Sequence, residues 1–98
     1  MALVRILRNA PTSVSPCTAT TISGGTVEVQ GDLAFNVSTI ITLSDASIYT
    51  QAGYYVLFTY TGTLTGFSNL SVATTIAGRS VVSVTDCSSN KNIIVRLS

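Results

Sequence analysis

The chain has 98 residues, enough for one small domain, and only 9% of them are charged, compared with roughly 25% in an ordinary soluble domain. Histidine is absent, so the usual group for proton exchange near neutral pH is missing, and we expect no enzyme and no catalytic residue. The few basic residues are scattered and no apolar run reaches the length of a membrane span. We therefore expect neither nucleic acid nor membrane as a partner. Two distant cysteines without histidine do not supply the ligands of a zinc site, and we expect no metal or cofactor.

Residues 1–18 differ from the rest of the chain and predict an extended N-terminal arm. A short apolar and basic segment leads into Pro11 and Pro16, and proline supplies no backbone donor to a sheet. Two arginines interrupt the apolar segment, which argues against a signal peptide. We expect the arm to contact a partner through six side chains, namely Leu3, Val4, Arg5, Ile6, Leu7 and Arg8.

Residues 19–98 predict a single β domain. After the Gly24-Gly25 turn, a strand is expected over residues 26–30, where Val27 and Val29 share one face. Alternating apolar residues then predict one long strand, or two strands joined by a bend, over residues 33–43.

Two short links that contain glycine are expected to form hairpins. A three-residue loop over residues 31–33 places Val29 opposite Phe35, which keeps both side chains on the apolar face. A similar loop over residues 78–80 places Ile76 opposite Val82. For both links, the alternative is a corner of a coil.

Residues 49–67 contain six of the seven aromatic residues and predict the central strand of the domain. Within residues 54–60, even and odd positions alternate between two faces that are both largely apolar, so we expect both faces to be covered. Packing in the core, with hydroxyls at the rim, is the favoured interpretation of the tyrosines. Tyr49 and Tyr55 are the best candidates for exposed side chains that contact a partner, because tyrosine is favoured at interfaces.

Further strands are expected over residues 70–76, 80–85 and 92–97, which brings the count to about seven or eight. Such short strands, separated by turns, are typical of an antiparallel β-sandwich or jelly-roll. An all-β domain of this kind, preceded by the extended arm, is therefore the predicted fold. A short β-helix-like coil is the alternative architecture.

Cys17 and Cys87 are the only cysteines in the sequence. If they were bonded, the closed loop would contribute roughly 4 kcal/mol to stability in the chain-entropy model. Because the sequence indicates no oxidising compartment, we instead expect two small buried thiols that pack as apolar side chains.

Two sequences within roughly residues 24–70, GGTVEVQGDLAFNVSTIITLS and GYYVLFTYTGTLTGFSNLSV, resemble the strands and turns of secreted autotransporter passenger domains. In that family, repeated strands stack into a β-helix. Structural proteins of bacteriophage particles share this style of sequence. With no export signal, no barrel, too few residues for many coils and an arm before one charge-poor domain, the chain more closely resembles a phage capsid cement or decoration protein. That resemblance implies a trimer placed where capsid subunits meet, and it assigns no functional residue.

The expected function is that of a non-enzymatic virion structural protein made in the host cytoplasm. As a homo-oligomer, expected to be a trimer, it would stabilise a capsid by bridging subunits of the major capsid protein. One alternative is a carbohydrate- or receptor-binding β module of a tail or surface protein. The other is a fragment of a secreted β-helical adhesin, which would be extracellular.

Overall fold

The computed structural model describes residues 16–98, which form an all-β fold, as the sequence predicts. The predicted contact residues of the arm, at positions 3–8, lie outside the described residues. The described part of the chain contains one 3-10 turn, Phe67–Asn69, and nine strands: β1 Thr21–Ile22, β2 Val27–Val29, β3 Leu33–Ala34, β4 Thr39–Leu43, β5 Gly53–Tyr60, β6 Leu64–Thr65, β7 Leu70–Thr74, β8 Val81–Cys87 and β9 Asn92–Leu97.

Two successive stretches of the chain lie side by side and run in the same direction. We call residues 21–43 the first run and residues 53–74 the second run. In the parallel pairs, β2 and β1 lie along β5, β3 lies along β6, and β4 lies along β7. Position 27 pairs with 58, 33 with 64 and 39 with 70. The offset is 31 positions in each of these pairs, so the second run repeats the path of the first.

These pairings correct the two predicted hairpins. Val29 pairs with Tyr60 of the second run and not with Phe35. Likewise, β7 pairs with β4 whereas β8 pairs with β9, so the link at residues 78–80 joins strands of different sheets. Both links are corners between strands, which was the alternative. The sheets are mixed, and neither the antiparallel sandwich or jelly-roll nor the strand count of seven or eight is confirmed.

The last two strands form an antiparallel hairpin that lies on the far side of β5. Strand β9 pairs with β8 through the turn at residues 88–91, and it pairs with β5 along its other edge. Strand β5 therefore has β1 and β2 on one side and β9 on the other. The prediction that the aromatic strand is central is confirmed.

A β-bulge changes which side chains of β5 face the core. Ile93 pairs with Phe58 and Ile94 pairs with Val56, so Leu57 has no opposite residue on β9. An extra residue of this kind shifts the alternation of side chains by one. Tyr55, Leu57, Phe58 and Tyr60 are accordingly all buried in one apolar cluster, although strict alternation would place Phe58 and Tyr60 opposite Tyr55 and Leu57.

Cys17 and Cys87 form a disulfide, so the prediction of two free thiols is wrong. The bond joins residues 70 positions apart in the sequence. It ties the segment that precedes β1 to the end of β8, and the Asn90 side-chain amide donates a 2.7 Å hydrogen bond to the Cys17 carbonyl beside it. The start of the first run is thereby fixed to the terminal hairpin.

Candidate functional site: the open edge of the first run

The first run has an edge without a neighbouring strand among residues 16–98. Within this described range, each of β1 to β4 pairs only with the second run. We call the opposite side of these four strands the open edge. An edge strand carries unpaired N–H and C=O groups that can bind another strand.

The corner between β2 and β3 stacks on the corner between β5 and β6 through hydrogen bonds donated by main-chain N–H groups. Gly62 N–H donates to the Gly31 carbonyl at 2.8 Å, and Thr63 N–H donates to the Asp32 carboxylate at 2.8 Å. A Cβ atom at Gly62 would overlap the Asp32 carboxylate and lie 2.8 Å from the Asp32 nitrogen. The two corners therefore approach closely because glycine leaves space there.

Between β1 and β2, the first run contains two more residues than the matching part of the second run, and two of the residues there are glycines. Thr21 pairs with Tyr54, an offset of 33 positions, two more than in the strands that follow. Gly24 and Gly25, with φ of 127° and 70°, lie in this longer segment. The Thr26 hydroxyl donates a 2.7 Å hydrogen bond to the Val56 carbonyl of the second run, so the contact between the runs continues across the longer segment.

An open-sided cavity of about 350 Å³ lies at the open edge. Leu57 and Phe58 of β5 line it from the second run, and most of its other lining residues belong to the first run and to the loop after it. The lining is largely apolar and consists of Gly25, Val27, Ile41, Thr42, Leu43, Ser44, Asp45, Ile48, Tyr49, Leu57 and Phe58. Val27, which is half exposed, shows that apolar surface reaches solvent here.

Asp45 supplies the negative charge among the residues that line the cavity. Its carboxylate accepts hydrogen bonds from the Ser47 hydroxyl at 2.5 Å and from the Ser47 N–H at 2.9 Å. These bonds, first the hydroxyl and then the N–H, hold the pKa of Asp45 below its ordinary value. The cavity is therefore apolar inside and anionic at this position at neutral pH.

Tyr49 and Tyr55 are buried, so the prediction that they are exposed is wrong. Their exposed fractions are 5% and 0%, and their rings meet edge to face with centroids 5.0 Å apart. The Tyr55 hydroxyl donates a 2.7 Å hydrogen bond to the Gln51 carbonyl. Core packing, the favoured interpretation of the tyrosines, is therefore observed for both, and a carbohydrate-binding function loses the two side chains on which it depended.

The phenols of Tyr49 and Tyr60 are expected to ionise later than an ordinary tyrosine. Burial raises the pKa of both, and Asp86, to which the Tyr60 hydroxyl donates a 3.3 Å hydrogen bond, raises that of Tyr60 further. A pKa raised by folding stabilises the folded state below the unfolded value of about 10, and this contribution is lost as the pH rises through the folded value. Absorbance of tyrosinate at alkaline pH should show late-titrating phenols, and unfolding midpoints should fall over the same range.

Tyr60→Phe is the matched variant for this titration, because it removes one of the two phenols and keeps the ring. The part of the tyrosinate absorbance that develops late should fall by about half, because one of the two late-titrating phenols is removed. An unchanged late amplitude in this variant would contradict the assignment.

Residues 16–98 hold no group of three or more His, Cys, Asp or Glu side chains placed to bind a metal ion. None of their helices has the length and apolar character needed to cross a bilayer.

Comparison of the chain with protein-family models, curated proteins and solved structures found no match. The assignment of the candidate site therefore rests on the geometry of the described residues alone. Sequence reasoning missed the open edge because it treated the links as hairpins. The available signal was the recurrence of Gly-x-Leu at Gly31 to Leu33 and at Gly62 to Leu64, which has the same offset as the strand pairs.

Proposed function

We propose that this chain is a non-enzymatic structural unit of an extracellular β-helical surface protein, and that it binds further strands at its open edge. The observation that carries the proposal is the constant offset of 31 positions between the two runs over three successive strand pairs. A unit whose path repeats in parallel can be extended by another unit on the same path, as in other stacked repeats.

The disulfide supports an extracellular setting for this unit. Such bonds form and persist mainly in oxidising compartments, and Cys17 and Cys87 are bonded here. The corners support the same proposal, because the Gly31 corner stacks on the Gly62 corner through main-chain groups. An added turn that contains the Gly31 corner would carry the Gly31 carbonyl and the Asp32 carboxylate, which are the acceptors in this contact.

The test is to add one turn of chain at the open edge. A second copy of residues 16–46, with its cysteine replaced by serine, is inserted between Ser15 and Pro16, so that the copy precedes the first run by 31 positions. The native disulfide stays in place. We expect one cooperative unfolding transition. The free energy of unfolding should depend more steeply on urea concentration, because the added turn buries more surface.

A scrambled insert of identical composition is the control for this test. The scrambled insert should remain sensitive to protease. It should leave the slope of the free energy of unfolding against urea concentration at its original value. If the ordered insert behaves like the scrambled one, stacking at the open edge is contradicted.

Capsid decoration by a homo-trimer stays a prediction. The arm residues expected to contact the partner, at positions 3–8, lie outside the described residues. The low proportion of charged residues, 9%, fits a surface that other subunits cover. Native mass spectrometry of the purified chain distinguishes the two functions, because capsid decoration expects a trimer.

A further inference from the structure

We propose that residues 3–8 of the same chain cover the cavity at the open edge, with their apolar side chains inside it and their arginines beside Asp45 and Glu28. The inference deepens the proposed function, because it names the first partner of the open edge.

The distribution of charge along the chain is the first argument. Arg5 and Arg8 are the only charged residues before Pro16, whereas Glu28, Asp32 and Asp45 are the only ones in residues 16–52. The N-terminal segment is therefore purely basic and the first run purely acidic. Asp32 is engaged by the Thr63 N–H of the second run. Glu28 on β2 is exposed, and Asp45 lines the cavity.

The match of apolar surface is the second argument. The cavity presents Val27, Ile41 and Leu43 from the first run. Four of the residues at positions 3–8 are aliphatic, namely Leu3, Val4, Ile6 and Leu7. Removing apolar surface from water is favourable, so the aliphatic side chains of this segment match the lining of the cavity.

The chain is also long enough to make the connection. Residues 9–15 separate the basic segment from Pro16, and seven extended residues span at most about 24 Å. The Cα atoms of Cys17 and Cys87 are 5.4 Å apart. Cys87 pairs with Asn92, Asn92 with Thr59, and Thr59 with Glu28 of β2. Because paired strands lie about 5 Å apart, β2 lies within about 20 Å of Cys17, inside this reach. The disulfide at Cys17 fixes the point from which the segment departs. An intramolecular segment on so short a tether has a high effective concentration at the cavity.

Hydrogen exchange of the full-length oxidised chain tests this proposal. Ile6→Ser should accelerate amide exchange in β2 and β4, Val27–Val29 and Thr39–Leu43, by at least about tenfold, because a local opening that the segment suppresses becomes frequent. Exchange in β9 should not change. Raising salt from about 0.05 M to about 1 M should accelerate the same amides in the unmodified protein, because the ion pairs are screened.

Val82→Ser is the matched control, since Val82 is half exposed on β8, outside the open edge and the cavity lining. It should leave exchange in β2 and β4 unchanged. The proposal is overturned if Ile6→Ser has no effect on these strands, if Val82→Ser has the same effect, or if their protection rises with protein concentration. The last result would assign the edge to a second copy. None of these results affects the insertion test, so the proposed function stands or fails separately.

Discussion

Replacing Gly66 with alanine is expected to lower the free energy of unfolding by roughly 2–5 kcal/mol, the sum of a left-handed backbone penalty and overpacking. Gly66 has φ of 72°, and a Cβ atom there would overlap the Phe35 carbonyl oxygen and lie 2.9 Å from its carbon. The same oxygen accepts a 2.6 Å hydrogen bond from the Asn69 side-chain amide, which leaves it little freedom to move away. Urea denaturation followed by circular dichroism measures the loss.

Gly78→Ala is the matched control for this prediction. Gly78 has a similar φ of 82°, but an added Cβ would meet no atom within 4 Å. Its cost should therefore be the backbone penalty alone, about 1–2 kcal/mol. The difference between the two variants measures how closely the first run approaches the second at this corner. Equal losses for Gly66→Ala and Gly78→Ala would contradict the stacking of Phe35 on Gly66.

Removing the disulfide is expected to cost roughly 4 kcal/mol, the chain-entropy value for a closed loop of this length. The bond restrains 70 residues of sequence, which include both runs. For a small domain, whose free energy of unfolding is commonly about 5–15 kcal/mol, such a loss is a large fraction of the total. The double variant Cys17→Ser and Cys87→Ser, compared with the oxidised protein in urea, provides the measurement.

Chemical reduction of the unmodified protein removes the disulfide without changing a side chain to serine. It therefore separates the effect of the bond on stability from the effect of the substitutions. Cys87 is almost fully buried, so serine adds a polar group to the interior. Reduced protein without substitutions should lose about the same 4 kcal/mol if loop closure is the main term. A loss of less than about 1 kcal/mol on reduction would show that the bond does not restrain the unfolded chain in the expected way.

Several elements of the fold were predictable from local patterns. The strand at residues 54–60 was expected to be central, and β5 has strands on both sides. A strand is also predicted over residues 92–97, where β9 forms and buries Ile93, Val95 and Leu97. Apolar residues at alternate positions determine such strands, because side chains of extended backbone point alternately to two sides.

The details of the candidate site were not predictable by the same reasoning. Alternation is identical in parallel and antiparallel strands, so the pattern around Val29 and Phe35 fitted a hairpin equally well. The bulge opposite Leu57 changed the phase of β5 through its pairing with β9, which is distant in the sequence. Tyr49, from a polar connector, is buried because Tyr55 and the Gly25 corner lie beside it.

Composition and alternation are enough to predict an all-β domain with few charges and a central aromatic strand, and they show that basic and acidic residues are segregated in the N-terminal half. The parallel course of the two runs, the bond between Cys17 and Cys87 and the apolar cavity at the open edge become apparent only in the folded molecule. This difference follows from the range of the interactions. Composition and alternation act between neighbours in the chain, whereas strand partners, disulfides and cavities depend on residues about 30 to 70 positions apart.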